Sequence, residues 1–120
     1  MLSQELLDHF TNPRNAGELP PPAVVVEVTN PACGDILRLS VLYEGEKVVS
    51  ARFKTRGCTA AIAASSALTV MLEGQQISDL MAISRSAVEA SLGGLPPESQ
   101  HVSTLCVDAV RRALAVIKLK

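Results

Sequence analysis

The hydrophobic period of this chain changes at Cys58, and that change limits the folds open to it. Upstream, Val24, Val26 and Val28 alternate with Val25, Glu27 and Thr29, and Leu37, Leu39, Val41 and Tyr43 alternate with Arg38, Ser40 and Leu42. Alternation of this kind turns one side of an extended chain inward and the other outward. A third such stretch covers residues 48–55, with Arg52, Lys54 and Arg56 on one face and Ala51, Phe53 and Thr55 on the other. Glu44-Gly45-Glu46 joins the second and third stretches as a tight hairpin. Downstream of Cys58 the pattern is helical. Residues 59–73 are rich in alanine, and Gly74 supplies a C-terminal stop. The small side chains of this helix let it lie close to a sheet.

Residues 77–83 and 85–92 read as two short helical pieces, the second closed by Gly93-Gly94. From residue 99 to 119, Val102, Leu105, Cys106, Ala109, Val110, Ala113, Leu114 and Ile117 form a helical stripe. A short amphipathic helix over residues 2–10 precedes everything else and ends in the breakers around Pro13. Strands followed by helices imply an α+β fold: a three-stranded antiparallel sheet with helices packed on one face and a long C-terminal helix. With 120 residues, the expectation is one domain spanning 1–120.

Composition narrows the function classes. A 48% hydrophobic chain can build a core, and with Phe10, Tyr43 and Phe53 as its aromatic residues that core must be aliphatic. A net charge of −1 argues against a nucleic-acid partner, which demands a strongly basic face. The apolar stretches are too short to span a bilayer. Gln4, Glu5, Asp8 and His9 interrupt the start, so no signal peptide is expected and a cytoplasmic location is. Three cysteines in a reducing compartment point away from disulfides.

Chemistry concentrates where the regular pattern breaks. Cys33 lies in the turn Asn30-Pro31-Ala32-Cys33-Gly34-Asp35, and Asp35 adds an oxygen donor two residues on. Cys58 follows Arg56-Gly57 at the start of the alanine-rich helix, where the partial positive charge of a helix N-terminus suits an anionic sulfur. His101 opens the last striped segment. Sulfur, nitrogen and oxygen donors in this combination fit a tetrahedral metal site. Each has a plainer reading: a thiol packed at a strand–helix junction, an Asx turn at Asp35, a surface or N-cap histidine. No acid, base and nucleophile set with an oxyanion site is visible, so an enzyme is not expected.

The motifs Asp8-His9-Phe10-Thr11-Asn12-Pro13-Arg14-Asn15-Ala16-Gly17, Asn30-Pro31-Ala32-Cys33-Gly34-Asp35, Arg56-Gly57-Cys58, Leu95-Pro96-Pro97, His101 and Asp108-Ala109-Val110 occur in that order. In them the chain resembles the IscU/NifU-like family of iron–sulfur cluster assembly scaffolds, along essentially its whole length and on the IscU-like branch. The resemblance implies transient assembly of a 2Fe–2S cluster, with sulfur from a cysteine desulfurase and delivery to recipient apo-proteins. It implies zinc in the same site in protein as purified, and Cys33, Asp35, Cys58 and His101 as the residues that hold cluster or metal. It leaves room for a homo-oligomer.

The chain departs from the family in three places. Where the family has His-Cys-Ser, this chain has His101-Val102-Ser103. A cysteine recurs four residues later, at Cys106, one helical turn on and roughly 6 Å further along the axis. Cys106 falls within the apolar stripe, which favours a buried structural thiol over a replacement ligand. A cysteine at position 102 is expected at the exposed start of the helix. Glu98-Ser99 follows Leu95-Pro96-Pro97 where a chaperone-served branch has Val-Lys, which argues against a dedicated chaperone and removes a cation. Two other readings compete with the scaffold: a persulfide relay through Cys58 without a stable cluster, and a diverged structural zinc domain.

Overall fold

The computed structural model describes residues 2–31 and 34–119. Helix α1 spans Gln4–Thr11, with the Ser3 hydroxyl accepting from the Leu6 N–H at its start. Strands β1 (Val24–Thr29), β2 (Ile36–Glu44) and β3 (Lys47–Arg56) follow, then α2 (Thr59–Leu72). A 3₁₀ segment at Ile77–Ala82, helix α3 (Arg85–Ser91), a 3₁₀ turn at Pro97–Ser99 and helix α4 (His101–Lys118) complete the chain. The strands form one antiparallel sheet in the order β1-β2-β3. The expected α+β architecture is therefore the observed one. Differences lie at element ends: the first helix starts two residues later than its apolar pattern, the piece over residues 77–82 is 3₁₀, and the last helix begins at His101. Propensity patterns do not register caps, which decide where helices end.

Register explains the layering. Val26 faces Leu39, and Leu39 faces Phe53, so one row crosses all three strands on the buried side. The opposite side carries Arg38, Arg52, Lys54 and Arg56 toward solvent. Helix α4 packs on β1 and β2, α2 packs on β3, and α1 lies on α2. Ala60, Ala61, Ala63, Ala64 and Ala67 are all buried, which is what brings α2 close to the strand. The hydroxyls buried in that interface are satisfied: Thr55 Oγ1 donates to Ser65 Oγ at 2.7 Å, and Ser65 Oγ donates to the Ala61 carbonyl at 2.7 Å. Ser66 accepts from the Arg14 N–H and meets His9 Nδ1, each at 2.8 Å, which ties the N-terminal segment to α2. No helix among the described residues is long and apolar enough to cross a membrane.

Candidate metal centre

The sheet register builds the site. Ile36, the first residue of β2, pairs with Arg56, the last of β3. Continuing that antiparallel pairing one step outward brings Asp35 beside Gly57, with Cys58 next in line. Asp35 is set by its own turn: the Gly34 N–H donates to the Asn30 carbonyl at 2.7 Å, and the Asn30 N–H donates to the Asp35 carbonyl at 2.8 Å. Gly34 sits at φ +77°, a left-handed conformation that glycine adopts without steric penalty. Gly57 serves a different purpose. A Cβ there would stand 2.5 Å from Asp35 Oδ1, so the bare backbone is what admits the carboxylate.

Cys58 is the N-cap of α2, and its carbonyl accepts from the Ile62 N–H at 3.2 Å. Its side chain makes no capping bond and is exposed. The thiol instead donates to Asp35 Oδ2 at 3.8 Å. His101, the first residue of α4, places Nε2 3.3 Å from the same oxygen. Asp35 is only 4% exposed, so its carboxylate depends on these two partners for the polar contacts water would otherwise give. The three donor atoms lie within 4.8 Å of one another. Ligands around one tetrahedral metal stand roughly 3.3–3.8 Å apart for bonds of about 2.0–2.3 Å, so the two Asp35 distances suit a shared ion. Soft sulfur, borderline nitrogen and hard oxygen together suit zinc or ferrous iron better than calcium or magnesium.

Of the four residues expected to hold metal or cluster, the fold brings together Asp35, Cys58 and His101. Cys33 lies outside the described residues. The fifth candidate, Cys106, does not join them. It is 1% exposed within α4, and burial pushes its thiol up to about 12. A thiol held neutral in an apolar interior is a poor ligand. The expectation that position 102 sits at the exposed start of the helix is corrected: Val102 is wholly buried. Because α4 begins at His101, the next residue already turns about 100° around the axis and into the core. Gly57 was visible in the sequence as the neighbour of Cys58, yet nothing in the sequence showed that Asp35 would press against it. A cleft of about 540 Å³ beside Tyr43, Ile77, Met81, Leu114 and Ile117 lies at the hairpin end, away from these donors.

A fold of this kind, with sulfur, carboxylate and imidazole gathered at one end of its sheet, has known counterparts. Residues 1–120 match the family described as the NifU-like N terminal domain, and the chain belongs to that family. It is 42% identical over 114 residues to "Iron-sulfur cluster assembly scaffold protein IscU 1" of Archaeoglobus fulgidus, covering 95% of this chain and 74% of that one. It is 39% identical over 121 residues to "Iron-sulfur cluster assembly enzyme IscU" of Drosophila melanogaster, covering 98% of this chain and 78% of that one. Among solved structures, a crystal structure of a hypothetical protein shares the fold with a TM-score of 0.76 at 24% identity, covering 92% of this chain and 94% of that one.

Proposed function

We propose that this protein is a scaffold on which an iron–sulfur cluster is assembled and from which it is passed on. The observation that carries the reading is the convergence of Asp35, Cys58 and His101 within 4.8 Å in a chain of this family. The cluster is cargo. Cys33, Asp35, Cys58 and His101 are the residues assigned to hold it, and they are four donors, which is what a 2Fe–2S cluster requires of its protein. Zinc held by the same donors is the form expected in aerobically purified protein.

Each residue has its own task. Cys58, exposed and uncommitted as a cap, is the group that receives sulfur. Its thiolate attacks the terminal sulfur of a persulfide on a cysteine desulfurase, and the desulfurase thiolate leaves. Asp35 supplies negative charge and an oxygen donor from a nearly closed position, so incoming iron meets a fixed carboxylate. His101, half-exposed at the tip of α4, forms the side of the site open to solvent. Recipient apo-proteins and a single-domain chain in the cytoplasm complete the proposal. On this reading Asp35, Cys58 and His101 bind cargo and pass it on, and the chain is a scaffold and not a turnover enzyme. Glu98 and Ser99 beside Leu95-Pro96-Pro97 speak against a dedicated chaperone at that segment.

The test is anaerobic reconstitution with ferrous iron and sulfide, followed by visible absorption. The expected result is a sulfide-to-iron charge-transfer spectrum that is lost in Cys58→Ser and retained in Cys106→Ala. No spectrum in the unaltered protein under conditions that load a relative would overturn the reading.

A further inference from the structure

Asp35 and Cys58 are fixed by the register of β2 and β3, but His101 is not. It rides on the first turn of α4, and Gln100, the N-cap there, makes no side-chain capping bond. An uncapped first turn leaves several N–H groups without partners and frays readily. What pins this turn is Ser103. It is wholly buried, and its hydroxyl lies 2.8 Å from both Glu89 Oε2 and the Gln100 carbonyl, sharing one proton between them. It accepts from Arg85 Nε at 3.3 Å. Glu89 thus reaches from α3 to the turn that carries His101. The Glu89 backbone carbonyl also accepts from the Gly94 N–H at 2.8 Å. One residue therefore holds both ends of the segment 94–103.

We infer that Glu89, acting through the Ser103 hydroxyl, is a positioning residue that holds His101 toward Asp35 and Cys58. The inference rests on the proposed metal-holding role of those three. Losing the Glu89 carboxylate leaves the Ser103 hydroxyl donating only within its own helix, and the 3.3 Å contact from Arg85 Nε becomes the one remaining side-chain tie described between this turn and α3. His101 then samples positions away from Asp35, and the site loses most of what its nitrogen contributes.

The experiment uses cobalt(II) added anaerobically to the full chain, read by its thiolate charge-transfer and d–d bands. Glu89→Ala should bind cobalt about tenfold more weakly, the scale on which partners of metal ligands act. Ser103→Ala should do the same. Glu89→Gln should recover most of the affinity, because an amide oxygen still accepts from Ser103. The double variant Glu89→Ala/His101→Ala should bind no more weakly than His101→Ala alone, since the contact acts only through that imidazole. A purely structural weakening would add to the His101→Ala loss and would not be rescued by glutamine; either outcome overturns the inference. Unaltered affinity in both Glu89→Ala and Ser103→Ala overturns it alone. No cobalt binding by the unaltered chain overturns the proposed function, and this inference with it.

Discussion

The N-cap of α2 and the second turn of α4 each carry a cysteine, and the two thiols are opposites. Cys58 caps α2 in the open, beside a carboxylate and an imidazole. Cys106 is sealed in the core on α4, with burial acting on it and pushing its thiol up to about 12. On the proposed reading, the same residue type serves metal chemistry in one place and packing in the other. Position on the helix decides: an N-cap side chain leaves the helix surface, whereas a residue on the apolar stripe is drawn in with Val102, Leu105 and Ala109.

The largest expected effect separates these two directly. Cys58→Ser should lower zinc affinity by more than about 100-fold, because it removes a direct ligand, whereas loss of an outer partner costs about 10–100-fold. The stability of the zinc-free protein should change by no more than about 0.5 kcal/mol, since the side chain is exposed. A competition titration with a zinc indicator and a urea melt read both quantities.

Next comes Gly57→Ala. The new Cβ would fall 2.5 Å from Asp35 Oδ1, so the carboxylate must leave the position from which its other oxygen meets Cys58 and His101. Zinc affinity should drop about tenfold or more. Combining it with Asp35→Ala should cost nothing beyond Asp35→Ala alone, which the same titration checks.

Cys106→Ala should reverse the pattern. Metal content stays as it is, and the protein loses about 1–2 kcal/mol of stability from the vacated volume. Urea denaturation measures this in zinc-free protein. A fall in zinc content instead would place Cys106 with Cys58 and end the contrast between them.

How much of this the sequence disclosed depends on the range of the interaction concerned. Alternation in residues 24–28, 37–43 and 48–55 disclosed the strands, since side-chain direction in a strand depends only on adjacent residues. The switch at Cys58 located the strand–helix junction, and the stripe through Cys106 foretold its burial. The contact of Asp35 with Gly57, and of Ser103 with Glu89, joins elements far apart in the chain and carries no local signature. Val102 belonged to the apolar stripe that foretold burial and was misplaced by the competing expectation that the first turn of the helix is exposed.

The smallest effect concerns α1, where it packs on α2. His9 meets Ser66, and burial, reinforced by the positive charge of Arg14, holds its pKa below the ordinary 6.5. The unfolded chain therefore takes up this proton first. The contribution is present in full above about pH 6.5 and is lost as the pH falls through that value toward the lower pKa of the folded state. Urea midpoints between pH 7.5 and about 5 should fall, and His9→Gln should flatten that fall.

The central claim is that the sulfur in this site comes from the loop and the α2 N-cap, never from α4. Zinc K-edge X-ray absorption on the purified protein and on Cys106→Ala tests it most directly. Two sulfurs near 2.3 Å and two lighter nitrogen or oxygen donors, identical in both proteins, are predicted, with Cys33 and Cys58 as the sulfur donors. Three sulfurs in the unaltered protein, falling to two in Cys106→Ala, would contradict it.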